Sequence, residues 1–66
     1  MNDGFKVTLL TLAKVGHTLT SQKIPNEHVS EILDRLEENG FKFKGDGTLE
    51  ELAAFFKQTI YVLEQN

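Results

Sequence analysis

The stretch from Thr48 to Gln65 places the strongest constraint on how this chain can fold. Leu49, Leu52, Ala53, Phe56, Ile60 and Leu63 recur at helical spacing and fall in one narrow stripe, which Phe55, Thr59 and Val62 widen on one side. Its start is marked in the residues themselves. Thr48 is a good N-cap, Glu51 three residues later completes a capping box, and Asp46-Gly47 supplies a turn before it. The spacing predicts a helix over 48–65.

That helix has little to fold against. The whole chain is 66 residues, enough for a single domain, 1–66. A chain of this size buries only ~60% of the surface its unfolded form exposes, and such domains usually lean on disulfides, a metal or an oligomer partner. There is no cysteine, which removes disulfides and cysteine-type zinc sites together. Efficient helix packing or a second copy of the chain is what remains.

A second helix is predicted over 26–39. Val29, Ile32, Leu33 and Leu36 give the i, i+3, i+4, i+7 stripe, Pro25 opens it, and Gly40 ends it as a left-handed C′ residue with Phe41 folding back onto the stripe. Glu31 and Arg35 are spaced to pair across one turn. Residues 3–16 admit two readings. As a helix, Asp3 caps, Phe5, Leu9, Leu12 and Ala13 share a face, and Gly16 sits at C′. As a strand, Phe5, Val7 and Leu9 alternate with Lys6 and Thr8, but Leu10 and Leu12 break the phase. Length and the terminal glycine favour the helix, which would be apolar on more than one side and so must be largely covered. Residues 17–25 then read as a connection pinned by Leu19 and Ile24.

Phe41-Lys42-Phe43-Lys44 alternates, as a short strand with both phenylalanines inward would. The expected fold is therefore mainly α, a small three-helix domain (3–16, 26–39 and 48–65) with a short strand at 41–44. The alternative is α+β, a β-α-β-α unit in which residues 5–12 form the strand that 41–44 needs as a partner.

Several kinds of chemistry find no support in the residues. His17 and His28 are the only histidines, on different elements, so no metal site is expected. The serines, Ser21 and Ser30, lack a nucleophile-elbow context, and the paired carboxylates sit on a polar helix face. Neither an enzyme nor a cofactor is expected. The apolar run Leu9, Leu10, Leu12, Ala13 and Val15 is broken by Lys14 and threonines, with no cleavage site after it, and no run approaches the ~20 residues of a membrane span. The expectation is a cytoplasmic protein without a membrane partner.

Charge is sorted along the chain. The net charge is −3, and residues 26–40 carry Glu27, Glu31, Asp34, Glu37 and Glu38 against Arg35 alone. Such a balance disfavours nucleic acid, whose usual footprint is basic. One local pattern points the other way. Val29 to Thr48, ending Glu-Glu-Asn-Gly-Phe-Lys-Phe-Lys-Gly-Asp-Gly-Thr, resembles the recognition helix and first wing strand of winged-helix proteins, with Leu19 to Ile24 as a stunted second helix. The resemblance implies DNA binding, but its would-be recognition helix presents carboxylates that phosphates repel.

The reading that follows is a small acidic, non-enzymatic protein-binding module, a regulator or inhibitor of the kind a phage or mobile element encodes. Its acidic middle helix would meet a basic protein surface through Glu31, Asp34, Glu37 and Glu38. Its C-terminal helix would supply a dimer or hydrophobic interface through Phe55, Phe56, Tyr61 and Val62, making a homodimer the expected state. The alternative is a small dimeric DNA-binding transcriptional regulator with a degenerate winged-helix-like element, touching phosphates through its lysines.

Overall fold

A computed structural model describes residues 3–23 and 27–65 as three helices, α1 (Asp3–Ser21), α2 (His28–Glu38) and α3 (Leu49–Gln65). The mainly α, three-helix expectation holds. Residues 5–12 lie inside α1, so the β-α-β-α alternative does not.

The largest departure is the length of α1. Gly16 does not terminate it, and the helix continues through His17 to Ser21. The residues that keep it in phase are Leu9, Ala13, Gly16 and Thr20, all buried and spaced four, three and four apart. Gly16 lies within this stripe because the Phe56 ring occupies the place a side chain would take. A Cβ built there would sit 2.6 Å from two atoms of that ring. Thr20, 2% exposed, sends its hydroxyl back to the Gly16 carbonyl at 2.8 Å, so its burial leaves no polar atom unmet. The chain turns away from α1 at Lys23, whose φ of 56° is left-handed and whose N–H donates to the Thr20 carbonyl at 3.1 Å. Ile24 and Pro25, expected to pin the connection and open the next helix, lie outside the described residues.

α1 is the spine of the molecule. Nineteen residues at ~1.5 Å each span about 28 Å, close to the longest dimension of 31 Å. Both other helices pack on α1, while no α-carbon of α2 comes within 8 Å of one in α3. Two contacts give the direction of α3. Gly16 lies under Phe56, and Lys14 Nζ lies 3.8 Å from Glu64 Oε2. The earlier residue on α1 meets the later one on α3, so the two helices run antiparallel. The core is one cluster drawn from all three: Leu9 and Ala13 from α1, Ile32 and Leu36 from α2, and Leu52, Phe56 and Leu63 from α3.

α2 closes as the sequence indicates. Gly40 takes φ +93°, its N–H donates to the Glu37 carbonyl at 3.1 Å, and the Phe41 N–H donates to the Leu36 carbonyl at 2.9 Å. These two bonds make a Schellman motif, with half-buried Phe41 packed back onto the core. Residues 41–44 form no strand among the described residues. The alternation that reads as a strand is nonetheless present as burial: Phe41 and Phe43 are half-buried, Lys42 and Lys44 exposed. With no neighbouring strand to supply a ladder, the segment is a strap whose phenylalanines hold it to the helices. Phe43 meets Phe55 edge-on at 5.5 Å between ring centroids.

The start of α3 keeps half of the expected capping box. Glu51 N–H donates to Thr48 Oγ1 at 3.2 Å. The reciprocal arm is redirected, for Glu51 Oε2 accepts from the Asp46 N–H at 3.0 Å, and the Thr48 N–H turns to Asp46 Oδ1 at 3.1 Å. Both carboxylates thus satisfy backbone donors in the turn that delivers α3 onto α1.

Candidate functional site

Two surfaces follow from the way these helices bury their stripes. On α2, Ile32 and Leu36 are buried with Val29 and Leu33 beside them, which turns Glu31, Asp34 and Glu38 almost directly outward. These three, with Arg35, line a shallow polar concavity on the outer side of the helix. Glu37 is exposed but lies one step round the helix, at the flank of that group. The Glu31 carboxylate rests 3.4 Å from His28 Nδ1, one turn back, and among the described residues no ion pair joins it to Arg35. The structure therefore brings three of the four predicted acidic residues together and sets the fourth alongside.

The last two residues of α2 are Glu37 and Glu38. A helix C-terminus carries partial negative charge and favours lysine or arginine, so both carboxylates stand where their own helix disfavours them. Asp34 and Glu38 also face each other one turn apart, a like-charge pair at i, i+4. Among the described residues no ion pair joins Asp34, Glu37 or Glu38 to a basic side chain.

The predicted hydrophobic interface on α3 divides. Phe56 is 0% exposed at the centre of the core, so within one chain it faces Gly16 rather than solvent. Phe55 is half-buried against Phe43 and Phe56, and Val62 is half-buried two turns further along the same edge. Tyr61 is 60% exposed and points away from the core, among Lys57, Gln58 and Glu64. Tyr61 and the Phe55–Val62 edge lie on different sides of the helix, so the four residues do not form one patch.

The sequence expectation that α1 is largely covered does not hold within the single chain. Val7 is 60% exposed and Val15 45%. Thr8 and Thr11 lie on the same outer side and donate their hydroxyls to the carbonyls of Gly4 and Val7 at 3.0 and 2.9 Å. With the hydroxyl turned onto the backbone, the methyl is the part of each threonine left for solvent or a partner. A shallow, mainly apolar groove on this side is lined by Thr11, Lys14, Val15, Thr18 and Leu19. The signal for this surface lies in the sequence, because Val7, Thr8, Thr11, Val15 and Thr18 hold helical spacing on the side away from the core stripe. A threonine read as polar conceals it.

No helix among the described residues is long and apolar enough to cross a membrane. Among the described residues no three histidine or carboxylate groups converge as metal ligands would. His17, inside α1 rather than in a connection, lies with Nε2 3.3 Å from Ser21 Oγ. Comparison with protein families, with curated proteins and with solved structures finds no match.

Proposed function

We propose that this chain is a small non-enzymatic protein-binding module, a regulator or inhibitor that acts by holding another protein. The observation that carries the reading is the acidic face of α2. Glu31, Asp34 and Glu38 gather opposite the core, and Glu37 and Glu38 occupy the end of the helix where carboxylates are disfavoured. A fold free to optimise its own stability would place lysine there. Charge kept against local preference is accounted for when a partner supplies the opposite sign, and complementary potential of this kind sets association rate and orientation. The partner is a protein with a basic surface. Tyr61, an exposed aromatic ringed by polar side chains, is the type of residue that anchors an interface once water is excluded around it.

The test is affinity capture from the source cells with the wild-type chain and with the variant Glu31→Lys, Asp34→Lys, Glu38→Lys. The captured protein is then purified and titrated against both. A basic partner bound by the wild type, released as ionic strength rises and not bound by the variant, is the expected result. Equal binding of one partner by both chains would overturn the assignment of α2.

A further inference from the structure

We infer that Asn39-Gly40 is a self-modification site, where the Asn39 side-chain amide converts to a carboxylate, and that the C-terminal cap of α2 is the lock controlling it. The chemistry does not rest on the binding role given to α2.

Asn39 is the only asparagine of the chain followed by glycine. That pair supports an intramolecular reaction. The Gly40 peptide nitrogen gives up its proton and attacks Asn39 Cγ. A C–N bond forms, the Cγ–Nδ2 bond breaks, and Nδ2 leaves as ammonia, taking up a proton. The product is a five-membered succinimide. Water then opens this ring at either carbonyl, giving aspartate or, with the chain rerouted through the side chain, isoaspartate. The sum is amide plus water to carboxylic acid plus ammonia, with no oxidant or enzyme required. Glycine favours the reaction because no side chain shields its nitrogen and its backbone rotates freely. Gly40 is exposed, and a Cβ built on it would meet nothing within 4 Å, so water reaches the reacting peptide.

In the folded chain three features keep the ring from closing. Asn39 has a ψ of 18°, which turns the Gly40 nitrogen away from the Asn39 Cβ and so from the carbon it must attack. The Gly40 N–H donates to the Glu37 carbonyl at 3.1 Å. Asn39 Nδ2 donates to the Arg35 carbonyl at 2.7 Å, which draws the amide back along the helix. The glycine that closes the Schellman motif is thus the nucleophile that the motif restrains. Reaction requires the last turn of α2 to open, and its rate follows the population of that open state. The same turn is weakened by its own charges, since Glu37 and Glu38 oppose the helix dipole and Asp34 repels Glu38.

Conversion runs one way. A carboxylate at position 39 has no proton to donate to the Arg35 carbonyl, and it adds a negative charge beside Glu37 and Glu38 in a chain that already carries −3. Isoaspartate also lengthens the backbone by a carbon inside the turn. Each effect loosens the cap, so the acidic end of α2 gains charge and loses order as the molecule ages.

The test is incubation of the purified full chain at mildly alkaline pH, native and in denaturing urea, followed by peptide mass spectrometry and enzymatic methylation of isoaspartate. Asp46-Gly47 can close the same kind of ring but loses and regains water, so a mass gain reports asparagine alone. Position 39 should be the main site of conversion in urea and should convert about 10- to 100-fold more slowly in the native chain. Hydrogen exchange at the Gly40 and Phe41 amides measures the opening independently, and its protection should match that ratio within about threefold. Glu38→Lys, which strengthens this end of the helix, should slow native conversion about two- to fivefold and leave the rate in urea unchanged. Asn39→Asp, the product, should speed exchange at both amides about two- to tenfold. Should Glu38→Lys fail to fold, the wild-type comparison of conversion with exchange still decides. Equal rates in native chain and urea would overturn the lock. Gly40 and Phe41 amides that exchange only by global unfolding would overturn the local opening. An Asn39 that stays intact while those amides exchange would overturn the site. None of these readouts involves a partner, so they are independent of the capture experiment.

Discussion

The Phe56 ring lies on the backbone of Gly16, in the space that a side chain at position 16 would need. Gly16 is buried in α1 and Phe56 is 0% exposed on α3, so neither can move aside into solvent. A glycine inside a helix ordinarily costs about 1 kcal/mol against alanine. Here the cost is offset by the close approach of α3 that it permits.

Gly16→Ala should therefore destabilise the fold even though alanine is the better helix former. Overpacking costs typically 1–3 kcal/mol, against about 1 kcal/mol gained in propensity, and the net is a loss of up to about 2 kcal/mol in urea unfolding. Adding Phe56→Leu to Gly16→Ala should cost less than the two changes taken separately, because the smaller side chain vacates the space the methyl needs. Additive losses would show that the ring and the glycine are not in register.

Much of the architecture is legible in the residues, and the parts that are not have physical reasons. The stripe of α3 and the Gly40 cap of α2 follow from local rules that the structure obeys. Gly16 misleads because a glycine after an apolar run has two uses, ending a helix or admitting a neighbour, and local sequence cannot distinguish them. The distinction lies forty residues away in Phe56. Phe41 and Phe43 mislead differently, since period-two burial is shared by strands and by unpaired straps, and only a partner strand separates them. On the surfaces, the carboxylates of α2 were readable because charge is explicit in the residue type. The second apolar side of α1 is legible only in part, because threonine is apolar only once its hydroxyl has turned inward, as in Thr8 and Thr11.

Phe56 and Tyr61 should separate cleanly by mutation. Phe56→Ala removes a buried ring and should cost about 3–5 kcal/mol. A 66-residue domain has a total stability of only about 3–10 kcal/mol, so this variant should be largely unfolded or melt far below the wild type. Tyr61→Ala removes a side chain that is 60% exposed and should stay within about 0.5 kcal/mol. Thermal melts followed at 222 nm distinguish the two, and a large loss at Tyr61 would mean that its ring is covered in the folded chain.

Lys23 offers a stabilising change. Its φ of 56° ends α1 in the left-handed region, which glycine adopts without the roughly 1 kcal/mol strain of an L side chain. Lys23→Gly should raise stability by about 0.5 kcal/mol once the greater freedom of glycine in the unfolded chain is deducted. Lys23→Val should lower it, because a β-branched residue tolerates that backbone least. The pair of signs, measured by urea unfolding, checks the turn geometry without touching any core residue.

Glu38→Lys should make the protein more stable and its proposed binding weaker. The substitution removes a like-charge neighbour of Asp34 and places a cation in the last turn of α2, next to the negative end of the helix dipole. At this exposed position the gain is about 0.3–1 kcal/mol at low ionic strength, and it should shrink as salt rises toward ~1 M. The same change reverses a charge in the Glu31–Asp34–Glu38 group and should slow association with a basic partner. Opposite signs in the melt and in the binding titration would be the mark of a residue held for recognition at the expense of the fold. A variant that is both less stable and equally competent in binding would show that Glu38 has a structural partner and no part in recognition.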